Sequence, residues 1–146
     1  MVGPHILLVE DNPDDEELTL LSLRKQGLAN DIVVARNGVE ALDYLFGKGR
    51  YAGREVSVMP TVVLLDLKLP RLDGLGVLKR LREDPRTRYL PVVVLTSSSQ
   101  DADIVTSYEL GANSYIRKPV EFGELTDTVG KVGLYWMTLN RPPTGN

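Results

Sequence analysis

Carboxylate, hydroxyl and ammonium side chains follow short runs with the composition of strands in this chain of 146 residues. In chain order they are Glu10, Asp11, Asp66, Thr96 and Lys118. Carboxylates bind divalent cations, and an aspartate can attack phosphorus to form an aspartyl phosphate. A hydroxyl and an ammonium group can donate to phosphoryl oxygens. If the fold brings these groups together, they could carry out metal-assisted phosphoryl transfer.

The segment 62–74 reads V-V-L-L-D-L-K-L-P-R-L-D-G. Its unbroken apolar start predicts a strand covered on both faces, as in a parallel sheet, and Asp66 then lies where the strand ends. Ligands of open α/β sheets gather at the carboxyl ends of strands. From this segment alone, a turn aspartate that accepts a backbone N–H is an equally good interpretation.

A strand pattern followed by a helix pattern recurs along the chain. The predicted strands are His5 to Val9, Asp31 to Ala35, Val62 to Leu65, Val92 to Leu95 and Ser114 to Arg117. We expect Asn12 or Asp11 to cap the first helix, Asp101 to cap the fourth, and the last helix to run from Phe122 to Leu139. The alternation predicts a doubly wound (βα)5 fold with a parallel five-stranded sheet and right-handed crossovers.

The composition narrows the function classes. A hydrophobic content of 42% and a charged content of 25% fit one globular domain, which we place at 1–140 with a tail at 141–146. The net charge of -3 gives no reason to expect nucleic-acid binding. The absence of cysteine excludes disulfides and thiolate chemistry, and neither an export signal nor a membrane span is evident, so we expect a cytoplasmic protein.

For the segment 47–60 and for His5, a structural role is favoured over a functional one. The turn-rich segment 47–60 predicts an extended surface loop, for which tolerance of insertion is favoured over a partner-specific contact. The only histidine, His5, is expected at the surface or at a strand start rather than as a phosphodonor. Phosphate would therefore come from another protein or from a small donor.

The motifs together resemble the receiver domains of two-component response regulators, from about Pro4 to Leu139. The resemblance rests on Glu10-Asp11 after the first strand, Asp66 in D-L-K-L-P-R-L-D-G, Thr96-Ser97, Tyr115 and Lys118-Pro119. It implies a flavodoxin-like receiver fold with an extended C-terminal helix, and no enzymatic activity beyond self-catalysed phosphorylation and dephosphorylation.

The resemblance also implies roles for single residues. Asp66 is the expected phosphoacceptor, and Mg²⁺ is the expected cofactor, bound by Asp11, by Glu10 through water, and by the backbone carbonyl of Lys68. Glu10 departs from the aspartate that is commonest in its place but keeps the charge. Lys118 is expected to pair with the phosphoryl group.

The same resemblance implies a switch. On phosphorylation the Thr96 hydroxyl would move toward the phosphate and the Tyr115 ring would turn inward, which would alter a surface on the fourth helix, fifth strand and last helix. The Lys118-Pro119 peptide bond is expected to be cis. For Tyr115 alone, a half-buried strand tyrosine with its hydroxyl in water is the simpler interpretation.

The last helix carries an apolar stripe with the spacing of a helix-pairing seam. Its residues are Leu125, Val129, Val132, Trp136 and Leu139. We predict a homodimer through this helix and its C-terminal tail, although for the first half of the stripe packing on the sheet is the favoured interpretation. Beyond Gly133 the helix is apolar all round, which is typical of a surface with a partner.

Loop 47–60, the V-V-V-L-T-S-S run from Val92 and the Y-W-M-T-L-N-R-P-P ending resemble the small stand-alone regulators that partner phytochrome-type histidine kinases. The main alternative is a degenerate receiver that acts only as a protein-binding module. A haloacid-dehalogenase-like phosphatase would need an aspartate where Lys68 stands, and no dinucleotide or P-loop motif is present.

Overall fold

The structure, a computed structural model, describes residues 4–28, 32–118, 121–141 and 143. The strands are β1 (Ile6–Val9), β2 (Ile32–Ala35), β3 (Val62–Leu65), β4 (Val92–Thr96) and β5 (Ser114–Arg117). The helices are α1 (Pro13–Lys25), α2 (Gly38–Phe46), α3 (Gly74–Glu83), α4 (Asp101–Glu109) and α5 (Phe122–Leu134). A 3-10 turn spans Gly49–Tyr51, and a π-helical segment, Tyr135–Leu139, continues α5. Among the described residues, none of the helices combines the length and apolarity needed to cross a bilayer.

The strands form one parallel sheet in the order β2-β1-β3-β4-β5. The chain moves outward from β1 to β2 and then returns to β3 on the other side of β1, so the order reverses between β1 and β3. That reversal is the topological switch point at which open α/β sheets bind ligands. The predicted doubly wound five-stranded fold is confirmed.

Alternate residues of each strand enter two separate cores. In β1, Leu7 and Val9 pack on the side of α2 and α3, whereas Ile6 and Leu8 pack on the side of α1 and α5. The central strands β1, β3 and β4 are buried on both faces, which is why their sequences are continuous apolar runs rather than alternating ones.

Helix starts follow local capping chemistry. The Asn12 side chain accepts hydrogen bonds from the backbone N–H groups of Asp14 and Asp15 at 2.9 and 3.0 Å, with Pro13 opening α1. The cap predicted at Asp101 is wrong, because Asp101 is already the first residue of α4 and Gln100 precedes it.

His5 directly precedes β1, which confirms the expected position at a strand start. It is fully buried, so the alternative of a surface position is wrong. Its Nε2 lies 2.8 Å from the Tyr44 hydroxyl oxygen, and the two rings meet edge to face. The guanidinium of Arg54 lies 4.0 Å over the Tyr44 ring and its Nε donates to the Tyr44 carbonyl at 2.6 Å. Arg54 thereby ties loop 47–60 to the end of α2.

The first half of the apolar stripe packs inside the protein, so the favoured interpretation that it packs on the sheet is confirmed. The assignment of Leu125 and Val129 to a dimer interface is wrong. Leu125 and Val129 are 5% and 0% exposed and belong to the core between the sheet and α1. A Cβ at Gly133 would lie 2.4 Å from Leu23 Cδ2, so this glycine permits the close approach of α5 to α1. A second copy cannot reach Leu125 or Val129.

The second half of the stripe is more exposed than the first. Val132 and Trp136 pack partly against the same core, whereas Leu139 is 68% exposed. Leu134 and Tyr135 are also exposed. The helix predicted to run regularly to Leu139 instead ends at Leu134 and widens into the π-helical segment.

Candidate functional site

The carboxyl ends of β1 and β3 place Glu10 and Asp66 side by side. Val9 and Leu65 are paired in the register of the two strands, and the Asp66 N–H donates to the Val9 carbonyl at 3.1 Å. At the ends of the next two strands in the sheet, β4 and β5, the Lys118 N–H donates to the Thr96 carbonyl at 2.7 Å. The sheet therefore brings the polar residues that follow its strands to one edge.

The buried ammonium of Lys118 is the centre of this edge. Its Nζ lies 2.5 Å from Glu10 Oε1, 2.9 Å from Asp15 Oδ2 and 3.0 Å from Asp66 Oδ2. Burial by itself would lower the pKa of Lys118, but hydrogen bonds and charges from these carboxylates outweigh it and hold the pKa above its ordinary value. Lys118 is therefore a fixed cation in the pocket.

Glu10 is almost fully buried, and burial raises its pKa to about 7 against the opposing hydrogen bond and charge of Lys118. The charge of Asp66 adds to the rise. The second carboxylate oxygen, Oε2, accepts from the Asn12 N–H at 3.2 Å. The glutamate is thus held on both oxygens, between the lysine and the start of α1.

The three carboxylates predicted to bind metal do meet. Glu10, Asp11 and Asp66 can each offer an oxygen, and these oxygens all lie within 4.8 Å of one another. Asp11 is exposed and the other two are buried, so the cluster opens to solvent on one side. Together with Asp15 these carboxylates outnumber the charge that Lys118 supplies. A hard divalent cation fits this oxygen donor set and its excess negative charge.

The segment after β3 is held tightly against Asp66. The Asp66 Oδ1 accepts from the Lys68 N–H at 3.2 Å. A Cβ at Gly74 would lie 2.2 Å from the Asp66 carbonyl oxygen, so only glycine lets α3 start this close. Between them, Arg71 has a φ of 68°, and the Leu72 N–H donates to the Pro70 carbonyl at 2.8 Å. This turn positions the Lys68 backbone beside the pocket.

Thr96 and Tyr115, the predicted switch pair, meet at the loop after β4. Thr96 is fully buried, and its Oγ1 accepts a long hydrogen bond of 3.4 Å from the Ser98 N–H. The half-buried Tyr115 donates its hydroxyl to the Ser98 carbonyl at 2.9 Å, so the interpretation with that hydroxyl in water is wrong. The Ser98 hydroxyl donates to Asp103 Oδ2 of α4 at 2.6 Å. Ser98 therefore links both predicted switch residues to α4.

Sequence reasoning missed Asp15 and Ser98. Asp15 lies in the first turn of α1, three residues after the Asn12 cap, and a carboxylate in that turn so close to Glu10 and Asp11 in sequence was the available signal. Ser98 contacts Thr96 and Tyr115 through its backbone N–H and carbonyl, and such contacts leave no mark in residue type. The cis peptide predicted at Lys118-Pro119 lies outside the described residues.

The sequence of this chain is similar to those of known proteins. A family model for the response regulator receiver domain matches residues 6–130. The chain is 41% identical over 141 residues to the probable methanogenesis regulatory protein FilR2 of Methanothrix harundinacea, covering 94% of this chain and 86% of that protein. It is 36% identical over 132 residues to the response regulator Rcp1 of Synechocystis, covering 90% and 88%.

Solved structures of response regulators superpose on this chain. The phosphorylated cyanobacterial phytochrome response regulator RcpA superposes with a TM-score of 0.89 at 36% identity, covering 98% of this chain and 100% of that one. The bacteriophytochrome response regulator AtBRR is 52% identical, with a TM-score of 0.74 and coverage of 97% and 99%. A Mn²⁺-bound form of Rcp1 has a TM-score of 0.88 at 33% identity, with coverage of 97% and 99%.

Proposed function

This chain belongs to the response regulator receiver domain family, whose mechanism is phosphorylation of an aspartate, and we propose that Asp66 is its phosphoacceptor. The observation that carries the proposal is the meeting of Glu10, Asp11, Asp66 and Lys118 at one edge of the sheet. The phosphodonor is the phosphohistidine of a sensor histidine kinase.

The transfer is a displacement at phosphorus. A carboxylate oxygen of Asp66 forms a bond to phosphorus while the phosphorus–nitrogen bond of the phosphohistidine breaks, and the leaving imidazole takes a proton from solvent. Water later attacks the aspartyl phosphate, releases inorganic phosphate and restores the carboxylate. The protein is therefore a phosphoacceptor whose own catalysis is limited to gaining and losing this group.

Receiver domains bind a divalent metal ion, and we assign the ion here to Mg²⁺, held by Glu10, Asp11, Asp66 and the Lys68 backbone carbonyl. When bound, Mg²⁺ offsets the negative charge that gathers as phosphoryl oxygens approach carboxylates. Lys118 supplies a second cation, already 3.0 Å from Asp66 Oδ2. Thr96 supplies a hydroxyl that can donate to a phosphoryl oxygen.

Phosphorylation switches an association surface. The new group brings close to two negative charges and three acceptor oxygens. Drawing Thr96 toward it shifts the loop that holds Ser98, and through Ser98 both Tyr115 and the first turn of α4. The surface of α4, β5 and α5 changes as a result, and on α4 it presents Val105 and Tyr108, which are 56% and 51% exposed.

The proposed partners are a histidine kinase and a second copy of this chain. The similarity to RcpA and AtBRR supports a phytochrome-type histidine kinase as the donor. We place the transfer in the cytoplasm. The exposed residues Leu134, Tyr135 and Leu139 support a homodimer through the end of α5. Sedimentation at tens of micromolar tests the dimer, and a strictly monomeric protein, with and without phosphate, would contradict it.

A degenerate receiver that only binds proteins is the alternative. A module that only binds proteins does not need an acidic cluster paired to a buried lysine, and burying these charges carries a desolvation cost. The complete set of Asp11, Asp66, Thr96 and Lys118 favours phosphorylation.

One experiment separates the two functions. The protein is incubated with Mg²⁺ and acetyl phosphate, and its intact mass is measured beside Asp66→Asn and, as a matched control, Asp14→Asn. We expect a phosphate adduct in the wild type and in Asp14→Asn, and none in Asp66→Asn. An adduct in Asp66→Asn would assign phosphorylation to another residue, and no adduct in any protein would favour the binding module. Phosphotransfer from a phytochrome-type kinase, compared with an unrelated kinase, tests the partner.

A further inference from the structure

Asp15 is a third carboxylate on Lys118, and nothing in the chemistry described above uses it. Its Oδ2 lies 2.9 Å from Lys118 Nζ, close to the distance from that nitrogen to Asp66. The Asp15 side chain is 30% exposed, whereas Glu10 and Asp66 are buried. The contact joins the first turn of α1 to the end of β5, across 103 residues of sequence.

The start of α1 fixes this contact. Asn12 Oδ1 accepts from the Asp15 N–H at 3.0 Å, and Pro13 restricts the backbone of the first turn. Asp14 shares the same cap but is exposed and is not among the partners of Lys118. The two neighbouring aspartates therefore carry equal charge with different contacts.

Asp15 also differs from the other partners of Lys118 in its relation to the metal cluster. Glu10 and Asp66 belong to the group of carboxylates that could hold a cation, and Asp15 does not. Once Asp66 carries a phosphoryl group and Glu10 faces a cation, Asp15 is the carboxylate that can still hold the ammonium. A lysine stem has four rotatable bonds, so an ammonium without such an anchor would sample many positions.

We propose that Asp15 is a positioning residue that holds the ammonium of Lys118 in place beside Asp66, so that it is aimed at the oxygens of the incoming phosphoryl group. The inference rests on the proposed role of Asp66 as phosphoacceptor. Asp15 acts through Lys118 and touches neither the phosphorus nor the metal. Its contribution is to the rate of phosphorylation.

The test compares Asp15→Ala and Asp15→Asn with Asp14→Asn. Phosphorylation rates are measured with acetyl phosphate at saturating Mg²⁺, and metal affinity is measured separately from the paramagnetic resonance of free Mn²⁺. We expect Asp15→Ala to slow phosphorylation about tenfold, which is within the loss of up to about a hundredfold that a small misplacement of reacting groups can cause. Asp15→Asn keeps an acceptor oxygen and should recover most of the rate. Asp14→Asn should match the wild type, and Mn²⁺ affinity should be unchanged in all three.

A double-mutant cycle with Lys118→Ala isolates the pathway. If Asp15 acts through the lysine, Asp15→Ala has no further effect once Lys118 is removed. An additive loss in the double variant, a wild-type rate in Asp15→Ala, a parallel loss of Mn²⁺ affinity, or equal slowing by Asp14→Asn would each overturn the inference. A wild-type protein that is never phosphorylated would instead overturn the proposed function itself.

Discussion

The hydroxyl of Tyr115 donates a 2.9 Å hydrogen bond to the backbone carbonyl of Ser98. Ser98 follows Thr96 by two residues in the loop between β4 and α4, and its N–H approaches the Thr96 hydroxyl. The Tyr115 ring packs against the core on the side of α2 and α3. The tyrosine is thus coupled to the position of the loop that phosphorylation is proposed to move.

Replacing Tyr115 with phenylalanine removes this hydrogen bond while keeping the ring. We expect the free energy of unfolding to fall by about 1 kcal/mol, the usual net contribution of such a bond. Urea denaturation checks the value. Tyr108→Phe is the matched control, because Tyr108 is 51% exposed on α4 and should lose little. Equal losses in the two variants would mean that the Ser98 contact contributes nothing.

Replacing Ser98 with alanine removes the side-chain hydrogen bond between the loop after β4 and α4. The Ser98 hydroxyl donates to the carboxylate of Asp103 at 2.6 Å, and hydrogen bonds to charged groups contribute about 1.5–3 kcal/mol. We expect a stability loss in this range and faster hydrogen exchange in the first turn of α4. Ser99 is exposed in the same loop, so Ser99→Ala is the control. Unchanged exchange at α4 in Ser98→Ala would show that the helix does not depend on this bond.

The fold could be predicted from sequence because its signals are local. Central strands buried on both faces leave continuous apolar runs, and Asn12 before Pro13 marks a helix start whatever the tertiary structure. The meeting of the carboxylates could also be predicted, because parallel strands place Glu10 and Asp66 at the same edge once the strands are assigned. Each of these inferences needed only residue type and position.

The remaining features depend on distant partners. Asp15 becomes informative only when β5 brings Lys118 to α1. The stripe containing Leu125 and Val129 has the same spacing whether it packs on α1 or on a second copy, and the glycine at 133 that admits Leu23 is visible only in three dimensions. Burial of His5 likewise depends on Tyr44 from α2.

A methyl group at Gly74 should disturb the site from behind. A Cβ there would lie 2.2 Å from the Asp66 carbonyl oxygen and 2.6 Å from the Leu67 Cα, and these backbone atoms cannot rotate away. We expect Gly74→Ala to displace the backbone that carries Asp66 and Lys68. Mg²⁺ binding should weaken about tenfold, as is usual when groups that orient metal ligands are disturbed, and phosphorylation should slow. Isothermal titration measures the first effect and intact-mass kinetics the second.

The control for Gly74→Ala is Gly123→Ala in the first turn of α5. A Cβ at Gly123 would approach only the flexible end of the Glu121 side chain, at 3.2 Å. Alanine favours a helix over glycine by about 1 kcal/mol, so this variant should be at least as stable as the wild type and bind Mg²⁺ normally. Normal metal binding in Gly74→Ala as well would show that the close contact does not position the ligands.

Removing the charge of Lys118 should make the protein less stable and more responsive to metal. Lys118→Met keeps the aliphatic stem but leaves the buried carboxylates of Glu10 and Asp66 unpaired, a change that costs about 3–5 kcal/mol. A divalent cation can replace part of the lost charge, and a ligand that binds the folded state stabilises it by an amount that grows with the logarithm of its affinity. The melting temperature should therefore rise more on addition of millimolar Mg²⁺ for Lys118→Met than for the wild type or for Lys79→Met, whose lysine is exposed on α3. Equal rises in the three proteins would show that the ammonium and the cation do not share the charge of this pocket.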